Sequence, residues 1–213
     1  MSVSGTDRPS LRRRLRAERL ALDARARHRA ALGLTRVLAA RPEVRRARRV
    51  AIYLPQDGEI DPLPTAEMLR GRGKTICLPL LDPVRQGPRR LRFAAWYPDG
   101  RLEPNRFGIL EPADSTPLPA WTLDLVLLPL VGFDAAGNRL GMGAGFYDRT
   151  FDPVRPWPRR PLLIGLAHGL QKVDALPVAA HDVPLHGIAT DQGYLAVRSE
   201  REMRRSDPGQ GQH

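Results

Sequence analysis

The sequence predicts an α/β fold: a single open, mostly parallel sheet with helices on both faces, in three layers. Three observations carry this expectation. Short apolar runs of strand length recur along the chain, capped helical stretches lie before and between them, and the most hydrophobic run, "LDLVLLPLVGFD", has the near-continuous apolar character of a strand covered on both faces. A chain of 213 residues can bury one full core of this kind. The domain is expected over residues 9–197, between a flexible N-terminus at 1–8 and a disordered tail at 198–213, "RSEREMRRSDPGQGQH".

The elements follow in order. Asp7-Arg8-Pro9-Ser10 before "LRRRLRAERLAL" reads as a capped helix with Leu11, Leu15 and Leu22 along one side. Asp23 caps a second helix, "ARARHRAALGLTRVLAA", which Arg41-Pro42 stops. "RRVAIYLP" reads as the first buried strand and "QDGEID" as the loop after it. Asp61-Pro62 opens a helix through "LPTAEMLRGRG", and "KTICLPLL" is the next strand. "RLRFAAWYP" and the loop "DGRLEPNRFGILEP" follow, and "LDLVLLPLVGFD" is read as one central strand. A helix is expected to begin near Tyr147, and "RRPLLIGLA" and "LHGIATD" supply later strands.

The net charge of +11 is unevenly spread, since residues 1–49 hold 15 arginines against four acids and the rest of the chain holds 19 charges of each sign. That basic quarter reads as a solvated helix face with some members binding an anion, which need not be a polymer. A nucleic-acid-binding module is the competing reading from another class. The single cysteine, Cys77, lies inside the apolar "TICLPLL" and cannot form an intramolecular bridge, which fits a buried thiol and a cytoplasmic protein. No run reaches the roughly 20 apolar residues that a membrane span needs, and no leader is visible.

The stretch "RLGMGAGFYDR", residues 139–149, carries the chemistry. Glycine weakens regular structure by roughly 0.5–1 kcal/mol relative to alanine, so Gly141, Gly143 and Gly145 in alternation need a reason. They can form a tight surface turn. They can also let successive backbone N–H groups converge on an anion beyond the carboxyl end of a central strand, with Arg139 as a forked donor. A Walker A loop is excluded, because Gly73-Lys74-Thr75 leads into a strand, and the G-x-G-x-G spacing is not the dinucleotide fingerprint. Asp148 either favours the first turn of the helix or holds Mg²⁺ beside phosphate oxygens. Asp182, in "AAHDVPL", is the second candidate carboxylate, or a turn aspartate.

"LDLVLLPLVGFDAAGNRLGMGAGFYDR" resembles the signature of the 5-formyltetrahydrofolate cyclo-ligase (methenyltetrahydrofolate synthetase) family. "RRRLR", "YLPQDGEID", "NRFGILEP" and "LIGLAHGLQKVDALPVAAHDVPLHGIATDQG" are similar to further family blocks in the same order, from about Leu11 to Gly193. The resemblance implies a three-layer, CoA-transferase-like architecture. It also implies ATP-dependent cyclisation of 5-formyltetrahydrofolate to 5,10-methenyltetrahydrofolate through a phosphorylated formyl group, with ADP and phosphate released.

It further implies nucleotide contacts at Arg12, Arg16 and the run Arg139, Leu140, Gly141, Met142, Gly143, Ala144, Gly145, Phe146 and Tyr147. Arg139 and Tyr147 take catalytic roles. Folate contacts fall on Leu54, Glu59, Phe107 and the loop residues Met142 to Phe146, and Mg²⁺ on Asp148 and Asp182. Milder alternatives stand beside these: solvated helix charges for Arg12 and Arg16, a loop acid for Glu59, core packing for Phe107. The implied partners are the two small substrates, with no nucleic acid, no membrane and a monomeric chain. Arg12 stands where the family has lysine, Ala144 where it has Lys or Gly, and Phe146 where it has a tyrosine; His168 replaces an aromatic and carries no assigned role. A same-fold ATP-dependent enzyme with a changed acceptor is the remaining alternative, with Ala144, Phe146 and His168 as the places to look.

Overall fold

In the computed structural model, which describes residues 7–81, 90–113, 115–177 and 182–197, a seven-stranded sheet forms the middle layer. Its strands are β1 (Arg49–Ala51), β2 (Thr75–Leu81), β3 (Leu91–Ala95), β6 (Leu125–Pro129), β9 (Leu162–Leu166), β10 (Gly187–Ala189) and β11 (Tyr194–Ala196). Two hairpins stand outside it: β4 (Leu102–Pro104) with β5 (Leu110–Pro112), and β7 (Gly132–Phe133) with β8 (Arg139–Leu140). The sheet order is β11-β10-β9-β6-β1-β2-β3, parallel from β10 to β2, with the two edge strands β3 and β11 antiparallel. The expected open, mostly parallel sheet is therefore present.

The alternation along each strand decides the layers. Val50, Ile52, Ile76, Leu78, Leu125, Leu127 and Ile164 point to one face, where helices α2 (Ala24–Ala39), α3 (Pro42–Arg46) and α4 (Leu63–Arg70) supply Leu34, Leu38, Val44 and Leu69. Ala51, Cys77, Phe93, Val126, Leu128 and Ile188 point to the other. That face is covered mainly by short pieces, the five-residue α5 (Phe146–Thr150), the 3₁₀ turn Ala120–Thr122, and an aromatic group in which Phe151 contacts Phe93, Tyr147 and Trp157. Buried here, the Cys77 thiol is pushed up to about 11, which suits an inert core residue.

Helix α1 (Arg8–Leu20) is capped as expected, with the Asp7 carboxylate accepting from Ser10 N at 3.3 Å. Leu11 and Leu15 pack on Val131, Leu140 and Leu176, so the helix lies over the β7–β8 hairpin rather than on the main sheet. Leu22 falls beyond the helix end. Of the two expected flexible ends, residues 1–6 and 198–213 lie outside the described residues.

Two local expectations change. Pro42 does end the region of α2, but it also occupies the first position of α3, where its missing N–H costs nothing. The apolar run 123–134 is two strands: β6 ends at Pro129, the chain turns through Leu130 and Val131, and β7 pairs with β8 instead of extending the sheet. A buried aspartate makes that hairpin, since Asp134 accepts from the backbone of Ala136, Asn138 and Leu176, each at 3.0 Å, and from Asn138 Nδ2 at 2.8 Å.

Candidate functional site

The sheet order contains a reversal. β1 and β6 are neighbours, yet the chain leaves β1 toward β2 on one side and leaves β6 toward β9 on the other. Such a switch point opens a crevice beyond the carboxyl ends of the two strands, where ligands of open α/β sheets bind. A cavity of about 510 Å³ lies there, floored by Tyr53, Leu54, Leu78, Pro79, Leu128 and Pro129. Pro79 and Pro129 are tolerated inside strands because both fall past Ala51, the last β1 residue paired on that side.

One wall is α1. Arg8, Arg12, Arg16 and Arg19 recur at near-helical spacing and share a stripe of the helix, each reaching a different segment. Arg8 pairs with Asp182 at 2.9 Å and donates to Pro177 O at 3.0 Å. Arg12 Nε donates to Gly141 O at 2.8 Å. Arg16 pairs with Asp57 at the surface, and the fully buried Arg19 donates to Asp57 O at 2.8 Å. Three cations of the basic N-terminal quarter, Arg8, Arg12 and Arg19, are thus turned inward. Arg8 and Arg12 line the cavity and Arg16 does not. Arg8 was missed in sequence, although Arg8-Pro9-Ser10-Leu11-Arg12 repeats the spacing of "RRRLR" one turn earlier.

The glycine loop is the adjoining wall, with Gly141 through Phe146 all lining the cavity. Its three glycines have different reasons. Gly143 and Gly145 are left-handed, at φ 96° and 65°, so the backbone itself demands them. Gly141 is not left-handed, and a Cβ built on it would meet nothing within 4 Å. The fold gives no cause for glycine at 141. Among the described residues, no backbone N–H of residues 141–145 donates to another backbone carbonyl. Leu140 faces away, fully buried against Leu11 and Leu15.

At the base of the loop, Arg139 is in direct ionic contact with Asp148. Burial lowers the Arg139 pKa, and the charges of Asp148 and Asp182 oppose that shift. Asp148 also accepts from Val183 N at 3.1 Å. Arg8, Arg139, Asp148 and Asp182 therefore form one mixed cluster on the cavity wall. Among the described residues no group of three or more His, Cys, Asp or Glu is placed to hold a metal. Two carboxylates suffice for Mg²⁺ only where phosphate oxygens and water complete an octahedron. The donor set here fits a magnesium ion arriving with a phosphate ligand, not one held by protein alone.

The end of the cavity formed by the loop after β1 bears a carboxylate. Asp57-Gly58 makes a tight turn with both residues left-handed, at φ 49° and 71°, and presents Glu59 to the cavity. Burial raises the Glu59 pKa, opposed first by the Arg19 guanidinium 3.6 Å away. Tyr147 lines the same end, stacked on Phe151 with centroids 6.4 Å apart, and burial raises its hydroxyl pKa with the Glu59 charge adding to the shift. Phe107 is 50% exposed on the β4–β5 hairpin and meets Phe146 edge-on at 6.1 Å, a rim position. The hairpin also contributes Asn105, Ile109 and Glu111, which sequence reasoning missed. Glu111 fastens it to the sheet by accepting from Leu81 N at 2.8 Å and Asn105 Nδ2 at 2.6 Å.

His168 acts from behind this wall. Its ring accepts from the Gln171 backbone in a capping box, so Nε2 carries the proton and donates to Gly58 O at 3.0 Å. Neither His168 nor Cys77 lines the cavity.

The model of the 5-formyltetrahydrofolate cyclo-ligase family matches residues 4–191. A 5-formyltetrahydrofolate cyclo-ligase of Escherichia coli strain K12 is 42% identical over 151 residues, 70% of this chain and 81% of that protein. The one from Haemophilus influenzae is 38% identical over 184 residues, 85% of this chain and 96% of that protein. The solved structure of Aquifex aeolicus 5,10-methenyltetrahydrofolate synthetase is similar with a TM-score of 0.76 at 26% identity, covering 97% of this chain and 96% of that one.

Proposed function

The chain belongs to the 5-formyltetrahydrofolate cyclo-ligase family, and on that premise we propose that it converts 5-formyltetrahydrofolate and ATP to 5,10-methenyltetrahydrofolate, ADP and phosphate. The observation that carries the assignment of the site is a single cavity lined both by the glycine loop with Arg8, Arg12 and Arg139 and by Glu59, Tyr147 and Phe146. A triphosphate suits the first and a pterin the second.

In this reading the bare amides around Gly141, with Arg8, Arg12 and Arg139, hold the phosphates. Asp148 and Asp182 would hold Mg²⁺, which would supply neutralisation of charge on the transferred group. Glu59, Leu54, Tyr147, Phe146 and Phe107 hold the folate. The formyl oxygen attacks the γ-phosphorus as the bond to ADP breaks, and the N5 lone pair forms an iminium. N10 then attacks the iminium carbon, loses its proton, and phosphate departs.

The substrate supplies both nucleophiles. This removes the need for a serine or cysteine nucleophile and leaves Cys77 to the core. The protein's work is alignment and electrostatic stabilisation, the terms that dominate phosphoryl transfer. Purified protein given both substrates should form the methenyl chromophore with equimolar ADP, and omission of either substrate should abolish both products. ADP release without the folate, or no turnover with it, would reject this acceptor and favour the changed-acceptor reading.

A further inference from the structure

Arg19 has no exposed surface, yet four segments meet on it. Its Nε donates to Asp57 O at 2.8 Å, one terminal nitrogen lies 3.4 Å from Leu130 O just past β6, and the other is 3.6 Å from Glu59 Oε1 and 4.0 Å from Met142 Sδ in the glycine loop. The helix, the loop after β1, the end of β6 and the glycine loop are thereby joined through one planar cation. A backbone wall alone explains none of this, because an apolar residue in that position would fill the same space without burying a charge.

We propose that Arg19 is a positioning residue: its guanidinium fixes the Glu59 carboxylate at the cavity wall and ties that wall to the glycine loop, so that the two ends of the site are set at one distance. The proposal rests on the reading of Glu59 as the folate-side carboxylate for its kinetic consequences, but not for its electrostatic one. Glu59 is also faced by Arg16 from α1, by Asp57 on its own loop, by Tyr53 after β1 and by Tyr147 from α5, with His168 behind Arg19. Of these, Arg16 is a half-exposed cation engaged with Asp57, whereas Arg19 is buried beside the carboxylate. Burial favours the protonated acid, and the Arg19 charge is the largest influence opposing it, ahead of the Gln56 N–H that donates to Glu59 Oε2 at 3.2 Å and of Arg16.

Two measurements test this. A carbon-13 NMR titration of labelled glutamate should find Glu59 protonating at a higher pH in Arg19→Met than in the unaltered protein, with Arg19→Lys in between. An unmoved midpoint in a folded Arg19→Met protein would overturn the proposal, and the lysine variant carries the same test should the methionine variant fail to fold. In kinetics, Arg19→Met should raise the KM for 5-formyltetrahydrofolate at least tenfold at alkaline pH while changing the KM for ATP less. In a Glu59→Gln background the same substitution should add little further loss on the folate side. Fully additive losses would mean that Arg19 acts only as a strut. Absence of folate turnover in the unaltered protein would count against the proposed function, and the NMR result would still decide the role of Arg19.

Discussion

Arg139 and Asp148, the residues that lead into and out of the glycine loop, close on each other in direct ionic contact, and the backbone between them projects into the cavity. The fork is what matters in this contact, since one arm can hold Asp148 while the other faces a phosphate. Arg139→Lys keeps the charge and loses the fork. The expected outcome is a fall in kcat of about 100-fold, the scale seen when one preorganised transition-state donor is removed, with the thermal midpoint changed by only a few degrees. An unchanged kcat would remove Arg139 from the catalytic machinery.

The three glycines separate structural need from ligand need. Gly143→Ala forces alanine into a left-handed position and should destabilise the protein by about 1–3 kcal/mol. Gly141→Ala meets neither strain nor neighbours, so the thermal midpoint should hold or rise slightly. Its KM for ATP should nonetheless increase about tenfold or more, because in the proposed site the added methyl would crowd the phosphates. Equal ATP kinetics in Gly141→Ala would say that nothing approaches this backbone.

Arg8 and Arg16 differ only in where α1 places them. Arg8→Ala removes a cation from the cavity wall and should raise the KM for ATP. Arg16→Ala breaks a half-exposed pair with Asp57, the kind of contact worth about 0–1 kcal/mol, and should change it less than about fivefold. Steady-state kinetics of the two variants side by side checks the order.

His168 makes stability depend on pH in a defined direction. Burial lowers its pKa, so the folded protein binds fewer protons here than the unfolded chain does. The contribution is fully present above about pH 6.5, the ordinary imidazole value, and is lost as pH falls from there through the lowered folded value. Thermal melts of the unaltered protein should therefore decline more steeply below about pH 6.5 than those of His168→Gln, which cannot titrate. Parallel curves would show that protonation of the ring does not matter to folding.

The magnesium ion proposed for Asp148 and Asp182 predicts a metal dependence of activity but not of folding. Chelation should abolish turnover without lowering the thermal midpoint of the ligand-free protein, and added Mg²⁺ should restore it. Asp148→Asn and Asp182→Asn should each raise the magnesium concentration needed for half-maximal rate. A chelator that unfolds the protein would contradict an ion held jointly with phosphate.

Much of this was readable in advance because it is local. Asp7 and Asp23 announce helix caps, the apolar runs announce strands, and the glycine alternation announces a tight loop. What was not readable depends on tertiary placement. In a stretch with 15 arginines nothing local marks Arg19 as buried, Arg8 as cavity-lining or Arg16 as turned to the surface, since helix phase allows all three. The break after Pro129 was hidden because Leu130 and Val131 continue the apolar run, and the signal for it lay in Asp134, whose side chain organises the hairpin turn. The hairpin carrying Asn105 and Glu111 looked like a loop, since its strands are three residues each and rich in proline and charge.

The central claim is that one cavity at the β1/β6 switch point takes both substrates. A crystal structure with a non-hydrolysable ATP analogue and 5-formyltetrahydrofolate tests it most directly. The account predicts phosphates against residues 139–145 and the pterin beside Glu59 and Tyr147, with the formyl oxygen facing the terminal phosphate. Nucleotide bound elsewhere, with that cavity vacant, would contradict it.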